Sequence, residues 1–218
     1  METPFTAEQF SETFRIYNQA VWPMQIVLYL LSFTAVYFAF KPTIKSGKMI
    51  SGLLAFFWLW MGVVYHLIYF TTINKAAYLF GAVFIFQAML FLAFGVFQSK
   101  LSFAFRSDGY GITGIILIVF ALIIYPVLGY SFGHGYPYSP TFGLPCPTTI
   151  FTFGLLLLCE KRCPLGILVI PFVWSIIGFT AAFHFGFVED IGLFLAGAIT
   201  CILVIMRNRK LAKMQVSL

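Results

Sequence analysis

Few side chains in this chain can bind a metal, carry a proton or attack as a nucleophile. They are His66, His134, His184, Cys146 and the adjacent acids Glu189 and Asp190. Imidazole, thiolate and carboxylate are the ligand set of zinc and related transition metals. Cys146 stands in "GLPCPTT". Pro147 suits the first position of a helix, which places Cys146 at the N-cap, where the dipole and free N–H groups favour a thiolate. Thr148, Thr149 and Thr152 add hydroxyls along the first turn. Such a site would hold a soft cation through sulfur or an anion through the helix end. A plainer reading stands beside this one. Pro-Cys-Pro also makes a rigid turn around a small residue, and histidines at helix ends sit at headgroup level on water or backbone carbonyls. Acids that open a helix are stabilised there by its dipole.

Three further thiols, Cys159, Cys163 and Cys201, lie toward the other end of the spans. An outer thiol followed by inner ones would suit stepwise transfer of a soft metal, although cysteine is also an ordinary small apolar residue. No CxxC pair occurs, so neither a disulfide framework nor a zinc ribbon is implied.

These residues must be held by apolar helices. The chain of 218 residues is 61% hydrophobic and 9% charged, against about 25% charged in soluble domains, and its mean hydropathy is +0.96. Several continuous runs reach the ~20 apolar residues that cross a bilayer, so the expected class is an all-α polytopic membrane protein. A β-barrel would alternate in segments of ~10 residues. The start carries Glu2, Glu8 and Glu12 and lacks the basic region of a signal peptide. The net charge of +6 is spread over short loops, which fits topology signals and no nucleic acid.

Seven spans are expected: Val21–Phe40, Met49–Phe70, Ala76–Phe97, Gly111–Tyr130, Pro147–Cys159, Pro164–Phe183 and Phe187–Met206. One side then holds Lys41, Lys45, Lys48, Lys100, Arg106, Lys161, Arg162, Arg207, Arg209, Lys210 and Lys213, the other only Arg15 and Lys75. Positive loops stay cytoplasmic, so the N-terminus is expected outside and the C-terminus inside, in a bacterial cytoplasmic membrane. Thr6 and Gln9 have capping-box spacing between Phe5 and Phe10. Residues 5–20 thus predict an outer interfacial helix, with a straight extension of the first span as the alternative. Triplets 21–97 and 147–206 share a direction, as in parallel repeats joined by a linker helix.

The fifth span is too short. Its thirteen residues reach ~20 Å against a hydrocarbon core of ~30 Å, and Lys161 and Arg162 pin its inner end. The Pro- and Gly-rich segment before it, 130–149, must therefore dip inward as a re-entrant loop. Irregular backbone at that depth needs a protein or water-filled surround, so an outward-facing vestibule is expected, lined by Tyr136, Thr148, Thr149, Thr152 and Tyr65, with Tyr125 nearby. Gln25, Gln87, Ser175 and Thr200 are expected to bond between helices.

Several functions are excluded or weakened. The last span has no lysine for a retinal Schiff base, no His-x-x-x-His pair occurs, and no glycine-rich phosphate loop is present. No acid stands mid-span, which weakens a proton-coupled pump.

The stretches "PFTAEQF", "NQAVWP", "WMGVVYH", "AAYLFGAVFIFQ" and "GHGYPYSPTFGLPCPTTIFT" resemble a bacterial integral-membrane family known only as a domain of unknown function. The resemblance runs over nearly the whole chain. It implies a multi-span membrane protein and supplies no activity. The expected function is a small permease or channel-like transporter that takes a small solute, or a transition metal such as zinc, into the vestibule. The alternatives are a membrane-embedded zinc-dependent lipid hydrolase and a non-catalytic sensor or assembly partner. The bilayer and the solute or metal are the expected partners, and a homo-oligomer is left open.

Overall fold

A computed structural model describes residues 4–216, with side chains for all of these except 181–183 and 216. The first helix, α1 (Ala7–Ala20), has the expected capping box. The Gln9 N–H donates to Thr6 Oγ1 at 3.3 Å, and the Thr6 N–H donates to Gln9 Oε1 at 2.9 Å. Phe5 stacks on Phe10 with ring centroids 5.6 Å apart, closing the staple around the cap. At Trp22–Pro23 the chain bends by 86° into α2 (Met24–Phe40). The bend rules out a straight extension: α1 lies across the end of the bundle.

After α2 come α3 (Ser46–Thr72), α4 (Ala77–Phe97), α5 (Gly109–Ser131), α6 (Pro145–Leu157), α7 (Gly166–Phe185) and α8 (Val188–Gln215). Each apolar segment read from the sequence is a helix. Four of them, α3, α4, α5 and α8, are long and apolar enough to cross a membrane, and the bent α1–α2 pair brings the number to five. Stretches of α3, α4 and α5 are wound as π-helix.

The bundle is built around α6. All thirteen of its residues are buried except Cys146, which is half-buried, as expected of a helix apolar on every side. It lies against α5 backbone to backbone. A Cβ on Gly154 would sit 2.7 Å from the Gly114 carbonyl oxygen, and one on Gly114 would sit 2.8 Å from the Gly154 oxygen. Small residues permit such close approach between apolar helices.

Because α6 is short, both of its ends are inside protein, where unpaired backbone groups are costly. At the C-terminal end the buried Arg207 of α8 donates to the Leu157 carbonyl at 2.8 Å and to that of Leu156 at 3.3 Å. The Leu158 carbonyl accepts from the Ala104 N–H at 3.0 Å, and the Glu160 N–H donates to the Ser102 carbonyl at 2.7 Å. Asn208 holds the Cys163 backbone from both sides, accepting at 3.0 Å and donating at 2.7 Å. Arg106 donates to the Cys159 carbonyl, and the Phe105 N–H to that of Ala39. The basic loops 41–45, 98–108 and 158–165 therefore gather at one end of the bundle. Arg207, read from the sequence only as a topology charge, is a structural cap.

At the N-terminal end the preceding loop turns inward, and Ser139 to Pro145 are buried apart from the half-buried Thr141. Asn18 of α1 anchors it, donating to the Pro137 and Ser139 carbonyls at 2.7 and 2.9 Å. Its Oδ1 accepts from Thr141 at 2.7 Å and from Gln25 at 2.8 Å. Gln87 donates across to the Ile167 carbonyl of α7 at 3.1 Å, while Ser175 bonds to the Phe172 carbonyl of its own helix.

The glycine contact gives a paired prediction. Gly154→Ala forces α5 and α6 apart and should destabilise by about 1–3 kcal/mol, the usual cost of overpacking. Gly52→Ala, on α3 with nothing within 4 Å of the new Cβ, should be neutral or gain up to about 1 kcal/mol from helix propensity. Thermal unfolding of the two variants side by side in detergent checks this. Equal melting temperatures would contradict the packing.

Candidate functional site: an aromatic cavity beneath α1

A cavity of about 320 Å³ lies between α1, α3, α4, the start of α6, and α7. Its roof is Phe5, Phe10 and Phe14, its walls are Tyr65, Phe70, Phe80 and Trp174, and Cys146 and Asp190 also line it. The roof is held by ring contacts. Phe10 meets Phe185 at 5.4 Å and Phe187 at 5.5 Å, and Phe14 stacks on Tyr65 at 6.2 Å. Tyr17 anchors the following turn by accepting from Trp60 Nε1 at 2.8 Å. The π-helical stretch Met61–Tyr69 carries Tyr65 and His66; such windings are frequent at functional sites.

Asp190 is 3% exposed. Tyr125 Oη donates to its carboxylate at 2.5 Å, and the Cys146 thiol lies beside it. Glu189, its neighbour in the first turn of α8, faces the other way. Its Oε1 is 3.8 Å from His134 Nδ1, and neither of its oxygens has a hydrogen-bond partner. Among the described residues no lysine or arginine forms an ion pair with either acid. Trp174 is a further polar group in the wall, beside Asn74, Thr180 and His184. It is 8% exposed and its Nε1 has no hydrogen-bond partner. A Cβ on Gly178 would stand 3.8 Å from that nitrogen and 3.7 Å from Cys146 Sγ, with Leu193 Cδ2 closer at 2.7 Å, so both polar groups lie against the Gly178 turn of α7.

Of the residues expected in the site, Cys146, Asp190, Tyr65 and His184 line the cavity. The others are placed elsewhere. His66 is fully buried, packed by Phe84 at 4.5 Å and Trp174 at 5.2 Å, with neither ring nitrogen bonded. His134 stacks on Phe187 at 4.3 Å and opens to a separate depression with Glu8, Glu12 and Tyr138. Tyr136 is exposed. Thr148, Thr149 and Thr152 are fully buried. Thr148 caps the loop by accepting from the Gly143 N–H at 2.9 Å, and Thr152 accepts from Trp58 Nε1 at 3.1 Å. They serve the packing of α6.

Two expectations need correction. Leu144 is the N-cap of α6, Pro145 opens the helix, and Cys146 is its second residue. Two prolines lie in the first turn, and Pro145 takes the N1 place that the sequence reading gave to Pro147. Nor does a metal centre form from the expected residues: no group of three His, Cys, Asp or Glu among the described residues is arranged to hold an ion. Aromatic packing holds His66 in one place, and His134 and Glu189 face away from the cavity.

At the basic end, Cys159 and Cys163 lie in mutual contact. Cys201 is partly buried on α8. Trp174 was missed as a site residue. Its only sequence signal is Trp174-x-x-x-Gly178, which puts an indole beside a small residue on one helical face.

Fold and cavity together define an all-helical protein, with four to five helices of membrane-spanning length and apolarity around a short buried one. The chain belongs to a family of unknown function, DUF6064, whose profile matches residues 7–215. No curated protein and no solved structure matches it.

The Asp190 contact predicts a coupling. Tyr125→Phe removes the donor at 2.5 Å and should cost about 1–3 kcal/mol, as for a bond to a charged acceptor. With Asp190→Asn already present, the same change should cost clearly less, since residues in contact are not additive. Chemical denaturation of the two single variants and the double gives the cycle, and simple additivity would refute the bond.

Proposed function

We propose that the chain crosses the bacterial cytoplasmic membrane seven times and is a permease that takes a small solute into the cavity beneath α1. The observation that carries this reading is the cavity itself. It is of small-molecule size, about 320 Å³, and lies where an apolar bundle is interrupted by a helix too short to fill it. Small-molecule sites are concave and mostly apolar, with a few placed polar groups, and here those are Asp190, Cys146 and Trp174. The orientation with α1 outside draws support from the basic loops, which gather at the opposite end. α1 then lies on the outer face as a roof held by ring contacts and by Asn18. Binding and release require this roof or the loop 132–144 to move. The hydrolase reading gains no comparable support, since its three histidines stand apart.

Thiol labelling tests the geometry. In a variant keeping only Cys146, with Cys159, Cys163 and Cys201 changed to alanine, a membrane-impermeant methanethiosulfonate added outside intact cells should label the protein. Labelling only from the cytoplasmic side would reverse the orientation and defeat the reading. Uptake assays then test transport. Proteoliposomes containing this chain alone should accumulate at least one of a panel of radiolabelled amines, amino acids, sugars and carboxylates, saturably, and alkylation of Cys146 should stop it.

A further inference from the structure

We propose that the cavity selects solutes bearing an organic ammonium group, with Asp190 facing the positive charge and the aromatic walls holding its apolar substituents. This rests on the reading of the cavity as a solute site and names its substrate class. The first reason is an imbalance of charge. Asp190 is buried, and the ionisable groups around it are Tyr65 on α3, Tyr125 on α5, Cys146 on α6 and, turned toward His134 but close enough to be felt, its own neighbour Glu189. Two are neutral hydrogen-bond donors, and the last adds a second acid. A buried carboxylate without a cationic partner is strongly disfavoured. The cavity, which Asp190 lines, is where a partner can come from.

The second reason is the wall. Phe10, Phe14, Tyr65, Phe80 and Trp174 all line the same space. The face of an aromatic ring attracts an ammonium within about 6 Å of its centroid, most strongly when water is excluded, and such cages are the recurrent answer to quaternary ammonium groups. A bare metal ion would gain little from these rings, and although Asp190, Cys146 and His184 all line the cavity, no group of three His, Cys, Asp or Glu among the described residues is arranged to hold one. The third reason is the Trp174 N–H. It is unpaired, in a side chain more than nine-tenths buried on the cavity wall. A buried donor without a partner costs about 1–3 kcal/mol, and a ligand oxygen would relieve it. The solute class is therefore an ammonium compound with a hydroxyl, ether or carbonyl oxygen a few bonds from its charge.

Choline and its uncharged carbon isostere, 3,3-dimethylbutan-1-ol, have the same shape and hydroxyl and differ in charge. Both are titrated by calorimetry into the full chain in nanodiscs. Choline is expected to bind about tenfold or more tightly than the isostere. Asp190→Asn should abolish that preference by weakening choline far more than the isostere, and Trp174→Phe should weaken both ligands. Equal or tighter binding of the isostere by the native chain overturns the ammonium proposal and leaves the solute cavity standing. So does a preference that survives Asp190→Asn. Absence of binding by either probe overturns the ammonium proposal, and the uptake panel then decides the solute reading by itself. The native comparison of the two probes decides the matter even where Asp190→Asn does not fold.

Discussion

The constraint on which this structure depends is the length of α6. A helix of thirteen residues reaches roughly 20 Å, about two-thirds of the apolar thickness of a bilayer. Its free N–H groups and carbonyls therefore fall inside the protein, where they need partners. The fold answers differently at the two ends. The C-terminal carbonyls are closed by a charged group, Arg207, and by backbone from two loops. That end is tight, with only Arg207 Nε left without a hydrogen-bond partner among the groups of its cap. The N-terminal end begins with two prolines, which have no N–H to satisfy. It needs fewer donors and acceptors around it, so apolar rings can close it. A cavity can persist there because few backbone groups demand to be filled.

The same asymmetry separates rigid from movable parts. The C-terminal half of α6 touches α5 at glycine, with no space between the backbones. The roof over the N-terminal half is an array of phenylalanine rings with Tyr17 and Asn18 as its polar fixings. Ring contacts are non-directional and can slide, whereas carbonyl bonds must break. If the chain is the permease proposed above, the motion that admits a solute falls on α1 and the loop it anchors and not on the Arg207 end.

Much of this architecture is legible in the residues alone. Long apolar runs mark the helices, Thr6 and Gln9 mark the start of α1, and the gap between Pro145 and Lys161 reveals a helix too short to span. The inward course of loop 132–144 follows from that length by arithmetic. What escaped the sequence are long-range choices. Nothing local distinguishes Arg207, which enters the bundle, from Arg209 one residue beyond Asn208, which stays exposed. His66 resembles a ligand because histidine is scarce, yet it is enclosed by Phe80, Phe84 and Trp174. Trp174 looks like ordinary packing until its unbonded nitrogen is found in a cavity wall. Type and spacing locate a polar group along the helix but do not choose which neighbour it meets.

Glu189 and Asp190 show the same limit most sharply. Read along the chain they are one acidic pair opening a helix. They lie in the 3₁₀ turn Val188–Asp190 that opens α8, where consecutive side chains diverge by about 120°. Here that rotation gives them separate surroundings: Glu189 meets His134 beside the open depression, and Asp190 meets Tyr125 and Cys146 under the roof. The dipole of α8 favours both as helix-opening acids, but it does not account for placing one at the edge of an aromatic cavity without a basic partner. A dipole worth about 0.3–1 kcal/mol is small beside the several kcal/mol that burying an ion costs. The cost at Asp190 is offset only in part by its two neutral donors. The remainder is what a cationic solute would meet in the proposed site, and it is the physical reason for reading this carboxylate as part of that site.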